Sequence, residues 1–351
     1  LDRHEWIGAN FSYDRLFHKA GSVRGETENG GAGILGGGMG YEEPTGSFGD
    51  DREAAFMPEL DPPFDVVEPA GLTCPLVFSS PHSGSVYPRL FLENARLDPM
   101  ALRRSEDAFV DELFAEAAGL GAPLIRARFP RAYLDLNREP YELDPRMFEG
   151  RLPSYANTRS TRVAAGLGTI ARVVGESQEI YQRPLTVEEG LARIDALYKP
   201  YHATLRQLIE RTHRLFGIAI LVDCHSMPSV PGAAIPGGDK KLKADFVLGD
   251  RYGTSCDKGI VDELEQAIHA LGYAVQRNKP YAGGFITEHY GAPAMGYHAI
   301  QIEVNRALYM NEQQIERSGR FASVAASLKS IAGALAESAA KRGGLLKAAA
   351  E

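Results

Sequence analysis

Ile218-Ala219-Ile220-Leu221-Val222, running into Asp223-Cys224-His225-Ser226, is the stretch whose reading decides the fold. Five apolar residues in succession, without alternation, suit a central strand covered on both faces. The polar residues that follow then stand at its carboxyl end. Because side chains alternate along a strand, Asp223 and His225 share one side and Cys224 takes the other.

Just upstream, residues 187–215 carry the period of a long amphipathic helix, with Glu189 four residues before Arg193 as a supporting ion pair and Gly217 as its stop. Downstream, 246–248 reads as a short strand and 257–271 as a helix closed by Gly272. Residues 273–276 and 298–304 complete the strands on that side. On the other side, 76–79, 123–129 and 132–136 read as strands and 102–118 as a helix. Asn311, with Gln314 three residues on, reads as the capping box of an Ala-rich last helix ending near Lys341. Strands alternating with helices predict a three-layer α/β sandwich with a mostly parallel or mixed central sheet.

The chain has 351 residues, 44% of them hydrophobic, and a formal net charge of −8. That surface is a poor partner for nucleic acid or an anionic membrane. Three cysteines, Cys74, Cys224 and Cys256, form no CxxC pair, which fits a reducing cytoplasm rather than a disulfide framework. No apolar run approaches the roughly 18–20 residues a membrane span needs, and residues 1–12 are too polar for a secretory signal. Residues 1–65 are set apart by glycine runs and an acidic, proline-containing stretch, and read as a poorly structured extension before a catalytic domain over 66–345. Gly31-Ala32-Gly33-Ile34-Leu35-Gly36 within it matches GxGxxG, but without the flanking strand and helix that a dinucleotide site requires.

Ligands of open α/β sheets bind at the carboxyl ends of strands. Three ends here carry unusual polar groups: Ser80-Pro81-His82-Ser83-Gly84, Asp223-Cys224-His225-Ser226, and Gln301-Ile302-Glu303-Val304-Asn305. Two histidines and a glutamate so placed suggest a divalent metal, zinc foremost, and a general base. Glu303 sits among Ile300, Ile302 and Val304, where a carboxylate is costly unless paired or functional. Glu106, Asp107, Asp111 and Glu112 are the available acids for a third ligand, with Asp107 preferred over a plain helix-dipole role. Arg131-Ala132-Tyr133-Leu134-Asp135-Leu136-Asn137-Arg138 places two arginines and an asparagine together. In an acidic chain that is a clamp for a small anionic substrate.

These segments, with Tyr87-Pro88, Met227-Pro228, Pro280-Tyr281-Ala282-Gly283-Gly284-Phe285 and Arg306-Ala307-Leu308-Tyr309, resemble the N-formylglutamate amidohydrolase family over residues 72–309. That family looks related to the zinc carboxypeptidase and aspartoacylase fold. The resemblance implies His82 and His225 as zinc ligands and Glu303 as base. It implies Asn137 and Arg138 on a substrate carboxylate, with Arg131 on the developing oxyanion or a second carboxylate. The compact carboxypeptidase spacing would put an acid three residues after the first histidine. Ser85 stands there, so Asp107 is the distant substitute. Tyr281 and Gly283-Gly284 are expected in a mobile loop over the substrate. The implied activity is hydrolysis of N-formyl-L-glutamate to formate and L-glutamate, closing a histidine degradation route.

Three alternatives stand beside it. The same site would serve another N-acyl amino acid or a peptide. A metal-free nucleophile, Ser83, Ser226 or Cys224, lacks the GxSxG elbow. A non-catalytic binder of acidic metabolites would keep the clamp alone. His202, His289 and His298 read as surface or packed histidines.

Overall fold

The computed structural model describes residues 57–229 and 244–350. The GxGxxG segment lies outside them, as do all residues of the expected extension up to 56. Seven strands form the main sheet: β1 (Phe64–Val67), β2 (Leu76–Ser80), β3 (Leu124–Ala127), β4 (Ala219–Met227), β5 (Phe246–Gly249), β6 (Val275–Arg277) and β7 (Tyr297–Asn305), in the order β1-β3-β2-β4-β7-β5-β6. β3, β2, β4 and β7 run parallel, as do β5 and β6. β1 is antiparallel to β3, and β5 is antiparallel to β7. The sheet is therefore mixed. β1 also moves the boundary of the folded body: Phe64 pairs with Ala127 and Leu60 is buried, so residues 57–65 belong to the body rather than to the extension.

The helices that frame the sheet and the site are α1 (Arg89–Glu93), α2 (Pro99–Arg103), α3 (Val110–Leu113), α4 (187–216), α5 (Lys258–Ala270), α6 (Phe285–Tyr290) and α7 (Phe321–Ala350), with a further single turn at Thr161–Ala164. α4 is continuous through Val187–Arg193, a π-helical stretch Ile194–Tyr198, and Lys199–Phe216. On one face of the sheet Ile220, Val222, Cys224, Ile300, Ile302 and Val304 pack with α3, α5 and α7. On the other, Val77, Leu221 and Ala299 pack with α4 and α6. This is the expected three-layer sandwich. At the ends of β4 and β7 that second face turns polar, because Asp223, His225, Gln301 and Glu303 continue the alternation of Leu221 and Ala299.

Four local expectations are corrected. Residues 102–118 are not one helix. α2 stops at Arg103, α3 starts at Val110, and Phe109 between them has φ 65°, a left-handed backbone that breaks helical continuity. Residues 132–136 are not a strand, because Tyr133 and Leu134 N–H both donate to Pro130 O and close a turn. Glu189 does not turn to Arg193. It completes a capping box with Thr186 and pairs with Arg183. Asn311 caps no helix: its side chain accepts from Gln313 and Gln314 N–H between the paired Met310–Asn311 and Glu316–Arg317, and α7 begins ten residues later at Phe321. Among the described residues no helix is long and apolar enough to cross a membrane.

Candidate metal centre and its cavity

β2, β4 and β7 lie side by side, and Glu303 is in register with His225. His82 follows the end of β2. There Gly84 is pressed against the chain after β3: a Cβ would lie 2.3 Å from Phe129 O. The broken helix delivers the third group. Asp107 N–H donates to His82 O at 3.0 Å, which ties the 105–109 segment to the end of β2. His82, Asp107 and His225, all buried, each offer one ligand atom within 4.8 Å of the others.

The outer contacts fix which atoms face inward. His82 Nε2 is 2.7 Å from Asp135 Oδ1, and His225 Nε2 is 3.0 Å from Asp223 Oδ2. A carboxylate accepts, so each Nε2 donates outward, which would leave each Nδ1 to turn a lone pair to a metal ion at the centre. His82 Nδ1 is buried without a hydrogen-bond partner, 3.5 Å from Asp107 Oδ2. His225 Nδ1 is 2.9 Å from the same oxygen. Two lone pairs facing a carboxylate oxygen repel unless a proton or a cation lies between them. Burial alone would lower the His225 pKa, but the Asp223 and Asp107 carboxylates hold it well above the imidazole range. Asp107, despite burial, is held well below the carboxylate range by His225 and His82. This buried His–Asp–His set fits a divalent metal ion.

A cavity of about 720 Å³ opens over it, lined by Asp107, Asp135 and Glu303 and by four arginines, Arg104, Arg131, Arg138 and Arg306. Burial pushes the Glu303 carboxyl up to about 7, with Asp107 adding to the rise and His225, Arg131 and Arg306 opposing it. Gln301 Nε2 donates to Glu303 Oε1 at 2.7 Å. Arg131 Nη2 donates to Asp135 Oδ2 at 2.8 Å. Burial would lower its pKa, but Asp135 and Asp107 raise it, so it stays charged. Arg138 donates to Leu167 O and Asn137 O, with Asp135 3.6 Å away. Burial lowers its pKa and Asp135 opposes the fall. Tyr281 also lines the cavity; burial and then Glu303 push its phenol up to about 12.

Two expected substrate contacts are placed elsewhere. Asn137 does not line the cavity. Its Nδ2 donates to Asp223 Oδ2 at 3.1 Å and sits 3.1 Å from His225 Nε2, while its Oδ1 accepts from Ile286 N–H at 2.8 Å. Asn137 therefore braces His225 from behind. Gly283 does not line it either. Its φ is 109°, a Cβ there would meet Thr287 Oγ1 at 2.4 Å, and its neighbour Gly284 N–H donates to Gln301 Oε1. Close packing explains this glycine pair.

The sequence reading gave no role to four residues that the structure makes central. Asp135 collects His82, Arg131, Arg138 and the Asn137 N–H. Asp223 holds His225. Arg306 donates to Asp107 Oδ1 at 3.0 Å, Ser226 Oγ at 3.1 Å and Glu106 O at 2.5 Å. Gln301 holds Glu303. The shared strand face of Asp223 with His225, and of Gln301 with Glu303, was the available signal. Asp135 and Arg306 had none beyond their positions inside suggestive segments. The candidate nucleophiles are otherwise engaged: Ser83 bonds Ser80, Ser226 accepts from Arg306, and Cys224 is core-packed with its thiol pushed well up by burial.

Fold and site together define an α/β protein with a candidate metal centre at its strand ends, beside a glutamate and under an arginine-lined cavity. Residues 74–310 match the N-formylglutamate amidohydrolase family, and the chain belongs to it. It is 32% identical to N-formylglutamate deformylase of Pseudomonas putida over 248 residues, 68% of this chain and 83% of that protein. It is 33% identical over 245 residues to the deformylase of Pseudomonas aeruginosa, with the same coverage. The crystal structure of N-formylglutamate amidohydrolase from Ralstonia eutropha JMP134 superposes with a TM-score of 0.76 at 38% identity, covering 80% of this chain and 99% of that one.

Proposed function

We propose that this chain hydrolyses N-formyl-L-glutamate to formate and L-glutamate, with zinc as the ion at His82, Asp107 and His225. The observation that carries the reading is the buried, unpartnered His82 Nδ1 converging with His225 Nδ1 on Asp107, beside Glu303. The family and the names of its relatives supply the substrate. When bound, the ion supplies Lewis acidity toward water and the amide carbonyl.

The protein does the rest. Glu303, with a pKa of about 7, accepts a proton from the attacking water and hands it to the departing amine nitrogen. Arg131 has N–H groups beyond the one given to Asp135, and these stabilise the oxyanion that forms at the formyl carbon. Arg138 and Tyr281 line the substrate's side of the cavity, where Arg138 pairs with the α-carboxylate and fixes the amide relative to Glu303. Asn137 and Asp223 act through His225 by setting its ring. Three buried free thiols suit a reducing cytoplasm as the place of reaction.

The test is glutamate release from purified protein on N-formyl, N-acetyl and N-succinyl glutamate, with elemental analysis of the same sample. Full activity after stripping by a chelator sinks the metal reading. A preference for acetyl or succinyl over formyl sinks the substrate.

A further inference from the structure

The four arginines of the cavity are not equivalent. Arg306 gives four of its five N–H donors to protein acceptors, Asp107, Ser226 and the carbonyls of Glu106 and Arg104. Arg138 donates to two carbonyls and lies near Asp135. Arg131 is paired to Asp135. Arg104 differs: its side chain has no hydrogen-bond or ion-pair partner among the described residues, and it is exposed where the cavity meets solvent. Its neighbour Arg103 turns away to Glu106 at 3.1 Å, so the two adjacent arginines have opposite fates.

The backbone beneath Arg104 is held in place. It is the C-terminal cap of α2, and its carbonyl accepts from Arg306 Nη1 at 3.3 Å, while Nη2 of the same guanidinium holds Asp107. The backbone of Arg104 is thus tied to the same guanidinium that holds a candidate metal ligand, and its unpartnered side chain swings from that anchored point. The lining also includes the apolar Leu167, Val173, Val174 and Pro228, with Ser105, Ser177, Ser226 and Tyr281 as uncharged polar side chains. A dianionic substrate has a second carboxylate several bonds from its scissile amide. Once Arg138 has met the near one and Arg131 the oxyanion, Arg104 is the described cationic side chain of the cavity left to meet the far one.

We propose that Arg104 is a specificity-determining residue that binds the distal carboxylate of the substrate and so sets the preference for acidic over neutral N-formyl amino acids. This rests on the reading of the activity given above. A guanidinium fork suits a carboxylate better than the compact charge of a lysine does. Its exposure to solvent screens the pair, so the effect is moderate and falls on binding.

The experiment compares wild type with Arg104→Ala, Arg104→Lys and Arg104→Glu on N-formylglutamate and on N-formylglutamine, its neutral isostere. In Arg104→Ala the KM for N-formylglutamate should rise about ten-fold, with kcat far less affected. The ratio of kcat/KM for the acidic over the neutral substrate should fall in the order Arg, Lys, Ala, Glu, and the wild-type ratio should shrink as salt is raised. A ratio that stays at the wild-type value in Arg104→Ala and Arg104→Glu overturns the assignment, as does an equal loss on both substrates. Wild type that turns over neither substrate overturns the reading of the activity instead, and the assignment with it.

Discussion

At the scale of single residues, the site is a set of charges that determine one another's state. Glu303 lies in a strand that is otherwise apolar on its opposite face, and its raised pKa follows from that burial. Glu303→Gln keeps the shape and the bond to Gln301 but cannot carry the proton. Turnover should fall about 10²–10⁴-fold while metal content by elemental analysis stays at the wild-type level. Arg306 makes the complementary case. It touches the candidate ligand Asp107 from outside, so Arg306→Met should weaken metal affinity roughly 10–100-fold, read by competition with a chromophoric chelator. Unaltered affinity would mean that the bond from Asp107 N–H to His82 O holds Asp107 in place without Arg306. His82, His225 and Glu303 were legible as candidates because each interrupts or ends an apolar strand. Asp135 and Arg306 were not, because their roles come from partners 53 and 199 residues away in the chain.

At the scale of elements, the irregular segment 131–138 is positioned by the side of α4 that faces it. Arg193 donates to Tyr133 O, Tyr198 to Arg138 O and His202 Nε2 to Leu136 O. The π-helical stretch Ile194–Tyr198 falls between the first of these residues and the last, where a local change of helix pitch re-aims side chains. The periodicity of α4 announced the helix but not this duty, and the run Ala132–Leu136 resembled a strand because its apolar residues pack inward from turns instead. His202 gives a pH signature. Burial lowers its pKa from 6.5 to about 3, so the unfolded chain takes up a proton that the folded chain refuses. The contribution is whole above pH 6.5 and drains as pH falls toward 3, by up to roughly 5 kcal/mol. Urea midpoints of wild type and His202→Gln should therefore converge between pH 7 and pH 4; parallel curves would show that His202 is not the group responsible.

At the scale of the whole molecule, the candidate ligands join three separate places: the end of β2, the 105–109 break and the end of β4. An ion bound there crosslinks them in the folded state only. At a free concentration about a thousand times Kd it adds about 4 kcal/mol. Chelation should lower Tm by roughly 5–10 °C for a chain of this size, and re-addition of zinc should restore it. Indifference of Tm to chelator and zinc alike would argue against a site built from all three places. The mixed sheet belongs to this scale too. Alternation of strand and helix predicted the layers, but not that β5 runs against β7, nor that 57–65 joins the body through an edge strand.

By itself the sequence determined the central strands, the face on which Asp223, His225 and Glu303 stand, and the family likeness carried by its ordered motifs. These follow from local rules: side-chain alternation, apolar runs and capping residues act over a few positions. Only the tertiary structure decided that Asp107 leaves its helix to meet two imidazoles, that Asn137 braces His225 rather than facing the cavity, and that Arg104 alone among the cavity's arginines lacks a described protein partner. Those outcomes depend on which distant groups satisfy one another's buried charges and hydrogen bonds, and that is settled only when the sheet brings its strand ends together.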